Sequence, residues 1–369
     1  MTTNTDLIAQ RLANQMVTQP FGASPEAVVA RMGALQGQDY NQAVWAIGAR
    51  TSSAAVEEVE QAMNAAKIVR TWPMRGTLHF VSASDVGWIL RLLAGRLIQA
   101  DHRRQAQLNL DAAILNRCEN IFLNALRGGR HLSRAEMMTL LEQADISTAS
   151  QRGYHILYYA ALTGLICLGP LQAGQQSFVL LDEWVPQPAE ISRSEALARL
   201  ALRYFNGHGP ATLRDFAWWA GLPPSDVRAG LAAAREANPG ALIAQNLDGQ
   251  EYWSPAPKDP VPEIDPQEIH LLPGYDEYLL GYTDRGAVLS EEHANSVVPG
   301  GNGVFKPIFL AGGRVGGIWQ RTLKKGSLEI SLRPFVMLDL HSERVNRAAQ
   351  RFADYWGWNL SSVYTPKSG

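Results

Sequence analysis

The chain has 369 residues, 46% of them hydrophobic and 18% charged, which is enough to bury a sizeable core and suggests two to four modules. No uninterrupted apolar run is long enough for a membrane-spanning helix, and Met1-Thr2-Thr3-Asn4-Thr5-Asp6 lacks the basic-then-apolar start of an export signal, so a cytoplasmic location and no membrane contact are expected. The net charge of −2 does not by itself invite a polyanionic partner, and Cys118 and Cys167, far apart in apolar stretches, read as buried free thiols.

In chain order, helices are expected near Asp6 to Val17 and from Pro25 to Leu35, the second capped by Ser24 with proline at its first position. Val56 to Ala66 is a further amphipathic helix. Lys67 to Trp72 and Thr77 to Val81 alternate as strands around Pro73-Met74-Arg75-Gly76. A more regular copy of this plan follows. Ala112 to Leu126 is a helix, Gly128-Gly129-Arg130-His131 a break, and Ser133-Arg134-Ala135-Glu136 a capping box that opens a second helix. A third helix runs from near Ser150 to Gly164, and Leu165 to Leu171 with Ser177 to Leu181 read as a hairpin.

The plan recurs once more. Ser194 to Phe205 is helical, Asn206 to Pro210 breaks it, Thr212-Leu213-Arg214-Asp215 starts the next helix, and Pro223-Pro224-Ser225 ends that one. Asp226 to Ala237 supplies the third helix, and Leu242 to Leu247 with Gln250 to Trp253 the hairpin, turning at Asp248-Gly249. Helices followed by a two-stranded wing are the winged-helix plan, a form that usually meets DNA. The fold class expected is therefore α+β, mainly α: three tandem winged-helix units at 1–105, 106–190 and 191–258, then a small β-rich module at 263–369. The proline-rich Ser254 to Pro262 marks the last boundary. Beyond it, Ile269 to Leu272, Val304 to Leu310, Arg314 to Thr322 and Leu328 to Pro334 read as strands. Gly312-Gly313 is a hairpin turn, and a helix from Ser342 to Tyr355 closes the chain.

Charge is segregated along this plan. From Pro299 to Pro334, Lys306, Arg314, Arg321, Lys324, Lys325 and Arg333 face Glu329 alone. Arg103, Arg104, Arg127, Arg130 and Arg134 are offset only by Asp111 and Glu119, while acidic residues gather between Glu263 and Asp284. The basic hairpin carrying Arg314, Arg321, Lys324 and Lys325 is the expected polyanion contact, with Arg75 and Arg152 as further candidates.

The common signatures of metal and nucleotide chemistry are missing: there is no His-Glu-x-x-His, no Cys-x-x-Cys and no Gly-x-x-x-x-Gly-Lys-Ser/Thr, so no metal and no cofactor is expected. His79, His155 and His208 read as structural. The unusual segment is Gly33-Ala34-Leu35-Gln36-Gly37-Gln38-Asp39-Tyr40, which follows an apolar helical stretch. On a regular helix, residues two apart point about 200° from each other, so both glutamines could share a target only if the helix were interrupted at Gly37. From the residues alone, a capping or loop role is favoured for them.

Gln36-Gly37-Gln38-Asp39, then Arg75-Gly76-Thr77-Leu78-His79, then Gly209-Pro210-Ala211-Thr212 with Asp215, Phe216 and Trp218, resemble the AlkZ-like DNA glycosylases. So do Leu272 to Tyr282 with Asp284-Arg285, and Gly313 to Trp319, so the likeness spans nearly the whole chain in one order. The resemblance implies tandem winged helices forming a concave surface, and excision of alkylated bases from DNA. It implies that Gln36 and Gln38 form a Gln-x-Gln catalytic motif, with Asp39, Arg75 and His79 in support. The substrate implied is double-stranded DNA with N7- or N3-alkylated purines, including bulky adducts and interstrand crosslinks, cut by a monofunctional enzyme with no obligate protein partner. The alternative reading is a winged-helix DNA-binding regulator or architectural protein without chemistry.

Overall fold

The computed structural model describes residues 3–18, 24–52, 55–172, 174–185, 190–257, 260, 263–324 and 326–366. The first stretch holds α1 (Asn4–Asn14), α2 (Pro25–Met32), the two-residue strand β1 (Leu35–Gln36), α3 (Tyr40–Gly48), α4 (Val56–Asn64), and the hairpin β2 (Ile68–Met74) and β3 (Thr77–Ser82). Thr3 and Asp6 cap α1 reciprocally, and the Ser24 hydroxyl caps α2. Arg75 and Gly76 turn the hairpin with φ of 54° and 70°, the left-handed geometry that matches the twist of the paired strands.

The 25-residue α5 (Ala83–Gln107), which sequence reasoning missed, begins directly at the end of β3 and spans about 37 Å. The expected boundary at 105/106 falls in its last turn. Next come α6 (Ala112–Leu126), α7 (Arg134–Gln143), α8 (Arg152–Leu162), β4 (Ile166–Gln172), β5 (Gln175–Leu180) and the short α9 (Leu181–Trp184). They are followed by α10 (Arg193–His208), α11 (Leu213–Ala220), α12 (Pro224–Ala237), β6 (Leu242–Leu247) and β7 (Gln250–Pro255). Pro224 opens α12 rather than ending α11, which stops at Gly221 in the left-handed conformation. The capping boxes read at Ser133 and Thr212 are both formed. The last part holds β8 (Ile269–Leu272), α13 (Glu277–Leu280), α14 (Glu291–Val297), β9 (Ile308–Ala311), β10 (Arg314–Lys324), β11 (Ser327–Pro334), α15 (Glu343–Tyr355) and β12 (Asn359–Tyr364). The strand expected from Val304 forms only from Ile308.

One sheet runs in the order β1-β3-β2-β4-β5, all antiparallel, so the first two hairpins share it. A second runs β12-β11-β10-β9-β8, with β11 and β12 parallel, and β6-β7 stand as a pair. A short paired segment recurs ahead of each middle helix. β1 pairs with β3 ahead of α3, Leu132 bridges Phe178 of β5 ahead of α7, and Ala211 bridges Trp253 of β7 ahead of α11. In each case a capping residue, Asp39, Ser133 or Thr212, stands just beyond.

The largest core joins the two ends of the chain: Val44 and Ile47 of α3 and Val59 of α4 pack in one cluster with Leu272, Phe309 and Phe352. Three polar ties reinforce this seam. Trp45 Nε1–H donates to Leu271 O at 2.9 Å, Tyr355 O–H to Val44 O at 2.7 Å, and Arg50 makes two 2.8 Å bonds to the Asp276 carboxylate, both side chains fully buried. A second core gathers α10 to α12 against the first sheet and the start of α5, and a third encloses α6 to α8 with β4 and β5. Cys118 and Cys167 are free and buried. Among the described residues, no helix is long and apolar enough to cross a membrane.

Candidate active site

Gln36 lies on the edge strand β1, opposite His79, and not in a broken helix: α2 ends at Gly33, whose φ of 77° turns the chain. This corrects the geometry expected for the motif. β1 ends at Gln36 and the chain bends at Gln38 and Asp39 before α3 begins, so Gln36 sits in the sheet and Gln38 just past the end of its strand. Gly37 N–H donates to Leu78 O at 2.6 Å and continues the ladder past the end of β1. A Cβ on residue 37 would lie 3.3 Å from both the backbone carbon and the Cα of His79, so the close approach of the two strands favours glycine.

The two amides are held differently. Gln38 is exposed, and its side-chain Oε1 accepts the Leu78 N–H at 3.3 Å, so the carboxamide itself takes over the next rung of the sheet edge. Among the described residues its NH₂ has no hydrogen-bond partner. Gln36 is half-buried, and among the described residues its carboxamide has no hydrogen-bond partner. Asp39 is exposed and caps α3, accepting the Gln42 N–H at 3.2 Å. Gln42 Oε1 in turn accepts Gly274 N–H at 2.8 Å, tying the first turn of α3 to the β-rich module.

Two guanidinium groups belong to the hairpin beside the motif, Arg70 buried and Arg75 half-buried. Arg75 donates from Nη2 to His79 Nε2 at 3.0 Å, while His79 Nδ1–H donates to Thr77 O at 2.9 Å. Burial, with the Arg75 charge adding, pushes the His79 pKa down to about 3, so the ring is neutral and its tautomer is fixed by its two partners. It cannot trade protons at neutral pH. The Arg75 pKa is also lowered by burial. Arg75, expected as a DNA contact or support, is half-buried, with Nη2 given to the His79 ring. It feels the field of Glu277, whose Oε2 receives bonds from Trp219 Nε1 at 3.0 Å and His208 Nε2 at 3.3 Å. Burial alone would raise the Glu277 pKa, but its bond from His208 and the charges around it hold it below the usual range.

The second guanidinium, Arg70, had escaped sequence reasoning. It donates from Nε to Gly37 O at 2.8 Å, from Nη2 to Gln38 O at 3.3 Å and from Nη1 to Gln176 Oε1. The signal was present in the sequence, since Arg70 is a lone cation in the otherwise uncharged strand Ile68-Val69-Arg70-Thr71-Trp72.

The basic residues do not form one patch. Arg314 opens β10 and Lys324 ends it ten residues later, about 33 Å along the strand. Arg314 is exposed and donates to Ala287 O at 2.7 Å. Lys324 projects from the hairpin tip beside Glu329, at 3.0 Å. Arg321, between them, is half-buried against Trp356 and Trp358, its guanidinium carbon 5.2 and 5.0 Å from their ring centroids, and it feels the charge of Asp39. Lys325 lies outside the described residues. Arg152, expected on the DNA surface, has its guanidinium committed to the carbonyls of Ser147, Leu108 and Asn109, a tether between loops. A cavity of about 240 Å³ opens beside the first turn of α3, lined by Asn41, Gln42, Trp45, Trp319 and Arg321 among others. Neither Gln36 nor Gln38 lines it, and Gln38 stands on open surface. Among the described residues, no group of three His, Cys, Asp or Glu side chains could hold a metal ion.

Comparison with known proteins bears on this arrangement. The family described as "DNA glycosylase AlkZ-like" matches residues 29–355. An interstrand DNA cross-link repair glycosylase of Streptomyces sahachiroi is 25% identical over 331 residues, covering 85% of this chain and 86% of that protein. The solved structure of the Streptomyces sahachiroi DNA glycosylase AlkZ superposes with a TM-score of 0.79 at 22% identity, covering 98% of this chain and all of that one, so the fold is shared from end to end. With a match spanning most of its length, this chain belongs to the AlkZ-like DNA glycosylase family.

Proposed function

We propose that this protein hydrolyses the N-glycosidic bond of N7- or N3-alkylated purines in double-stranded DNA, bulky adducts and interstrand crosslinks included, and leaves an abasic site. The observation that carries the proposal is the Gln36–Gln38 pair at a sheet edge, Gln36 half-buried and Gln38 exposed, in a chain of this family. The crosslink-repair name of the Streptomyces sahachiroi relative supports the choice of lesion.

An alkylated purine already carries positive charge, so it leaves as a neutral base when the C1′–N bond breaks and the electron pair moves onto the ring. No acid is needed to protonate it. What remains is to place a water at C1′ and to stabilise the cationic sugar as the bond lengthens, which positioned amide dipoles can do. Gln36, with an uncommitted carboxamide, offers its carbonyl to the water or the developing cation. Gln38, anchored through Oε1, presents its NH₂ with little freedom left to lose. The water adds to C1′ and its proton passes to solvent. An amide is not a nucleophilic amine, so this pair supports hydrolysis alone, as in a monofunctional glycosylase. Asp39 serves as helix cap beside them.

The three recurrences of paired segment, two helices and hairpin support reading 1–105, 106–190 and 191–258 as winged-helix units. Gln36 then occupies the short first strand of the first unit. Because Gln38 stands on open surface, a bulky lesion can meet the motif without being drawn into a closed pocket.

The test is base release from DNA carrying N7-methylguanine or an N7-linked crosslink, scored as abasic sites and as unhooked strands on denaturing gels. Gln36→Ala and Gln38→Ala should each slow release by roughly 10²–10³. Tight DNA binding by the wild type with no release from any alkylated substrate would replace the proposal with a non-catalytic, regulatory role.

A further inference from the structure

We propose that Arg70 is a positioning residue of this site, acting through the backbone of the Gln-x-Gln motif; the inference rests on the assignment of Gln36 and Gln38 above. Arg70 stands on β2, two strand spacings or about 10 Å from β1 across the intervening β3. Its guanidinium covers that distance and donates to two consecutive carbonyls, Gly37 O at 2.8 Å and Gln38 O at 3.3 Å. Successive carbonyls of an extended chain point to opposite sides. Both can reach one guanidinium only because the chain bends between Gln36 and the start of α3, and Arg70 is the group that fills the inside of this bend.

Among the described residues, neither carbonyl has another hydrogen-bond partner. The planar fork suits the task, since its N–H bonds are fixed relative to one another and two acceptors are held in one geometry. The guanidinium is itself held. Gln176 of β5, on the far edge of the same sheet, accepts from Nη1, and the Tyr40 ring lies 5.6 Å from the guanidinium carbon. Burial lowers the Arg70 pKa to about 10, leaving the group charged at neutral pH. A side chain with a large desolvation penalty thus has its bonds aimed at the two peptide units that flank Gln38 and set its direction from the strand that holds Gln36. It touches neither reacting amide.

The test compares wild type with Arg70→Met, Arg70→Lys and Arg70→Ala. Under single-turnover conditions Arg70→Met should release base about 30- to 100-fold more slowly, with DNA affinity changed less than about threefold, because misplacement of a reacting group by about an ångström costs that much in rate. Arg70→Lys, with one compact charge in place of the fork, should recover only part of the loss. Millimolar guanidinium ion should restore part of the Arg70→Ala rate and leave wild type unaffected, a response that a loss of folding would not give. If Arg70→Met folds poorly, Gln176→Leu removes the guanidinium's outer anchor and should slow release several-fold. Release per folded molecule equal to wild type in Arg70→Met, or in Gln176→Leu where only that variant folds, overturns the inference and leaves the glycosylase assignment standing. If wild type releases nothing, the assignment falls, and amide hydrogen exchange at Gly37 decides for Arg70: faster exchange in the variant supports the clamp, and equal exchange overturns it.

Discussion

Acidification should destabilise this protein through His79. In the folded chain the ring is buried, Nδ1–H is given to Thr77 O, and Nε2 accepts from Arg75 at 3.0 Å. Burial disfavours a second proton most, and on Nε2 that proton would also set cation against cation beside Arg75, so the folded pKa lies at about 3 against an ordinary value of 6.5. The unfolded chain therefore binds the proton first. The stabilisation is fully present above pH 6.5 and is lost as pH falls between 6.5 and 3, where the unfolded state carries a proton that the folded state lacks. At pH 5 the loss relative to neutral pH is about 2 kcal/mol, and at pH 4 about 3 kcal/mol. His270, lowered to about 4 chiefly by burial, adds to the slope in the same window. His79→Gln keeps a donor and an acceptor but cannot titrate, so it isolates the contribution of one ring. Urea unfolding of wild type and variant at pH 7.5 and pH 5.0 should show the variant losing about 2 kcal/mol less between the two conditions. Equal losses would refute the neutral, doubly bonded ring. The same geometry predicts that the rate of base release shows no inflection near pH 6.5 from His79.

The seam between the chain ends gives a second prediction. Asp276→Ala leaves Arg50 buried with only Ala46 O and Gln15 Oε1 for company, and should cost about 3–5 kcal/mol in urea unfolding; a loss below about 1 kcal/mol would contradict the pairing. For DNA contact, Lys324→Glu should weaken binding to all sequences and reduce the slope of log affinity against log salt by about 1. Arg314→Glu, at the other end of β10, should change that slope by less than half as much; equal effects would show that the strand contacts DNA along its length.

Much of the local structure was legible because it was written in short-range chemistry. Ser24-Pro25, Ser133 with Glu136 and Thr212 with Asp215 start helices where expected, and Asp248-Gly249 and Gly312-Gly313 turn hairpins where expected. The first half of α5 buries Val86, Trp88, Ile89 and Leu90, but its second half carries a polar run and it starts with no loop after β3, so neither periodicity nor punctuation announced it. β1 has only two residues, too few for an alternation to be read, and it exists because β3 is there to pair with it. The joining of β2 to β4 rests on a single paired position, Arg70 with Leu168, nearly a hundred residues apart. The site suffered most from this. Spacing identified Gln36 and Gln38 as unusual, but Gln36 is held extended by β3, and the side chain that donates to the carbonyls of Gly37 and Gln38 comes from a strand one further away. Charge in the sequence likewise did not reveal that the half-buried Arg152 and Arg75 give hydrogen bonds to loop carbonyls and to a buried ring.

The core shared by α3, α4, β9 and α15 sets the order in which the molecule can be completed. As the chain leaves the ribosome, the segment ending near residue 255 carries both of its later hairpins and their helices, and can settle locally. The N-terminal helices cannot: Val44, Trp45 and Ile47 stay uncovered until some three hundred further residues have been made and α15 arrives. Closing so long a loop is slow but only modestly costly in entropy, since that cost grows with the logarithm of its length. A chain cut off before Ile269 therefore presents an apolar face beside the Gln-x-Gln strand, and is a substrate for proteases and aggregation before it is an enzyme.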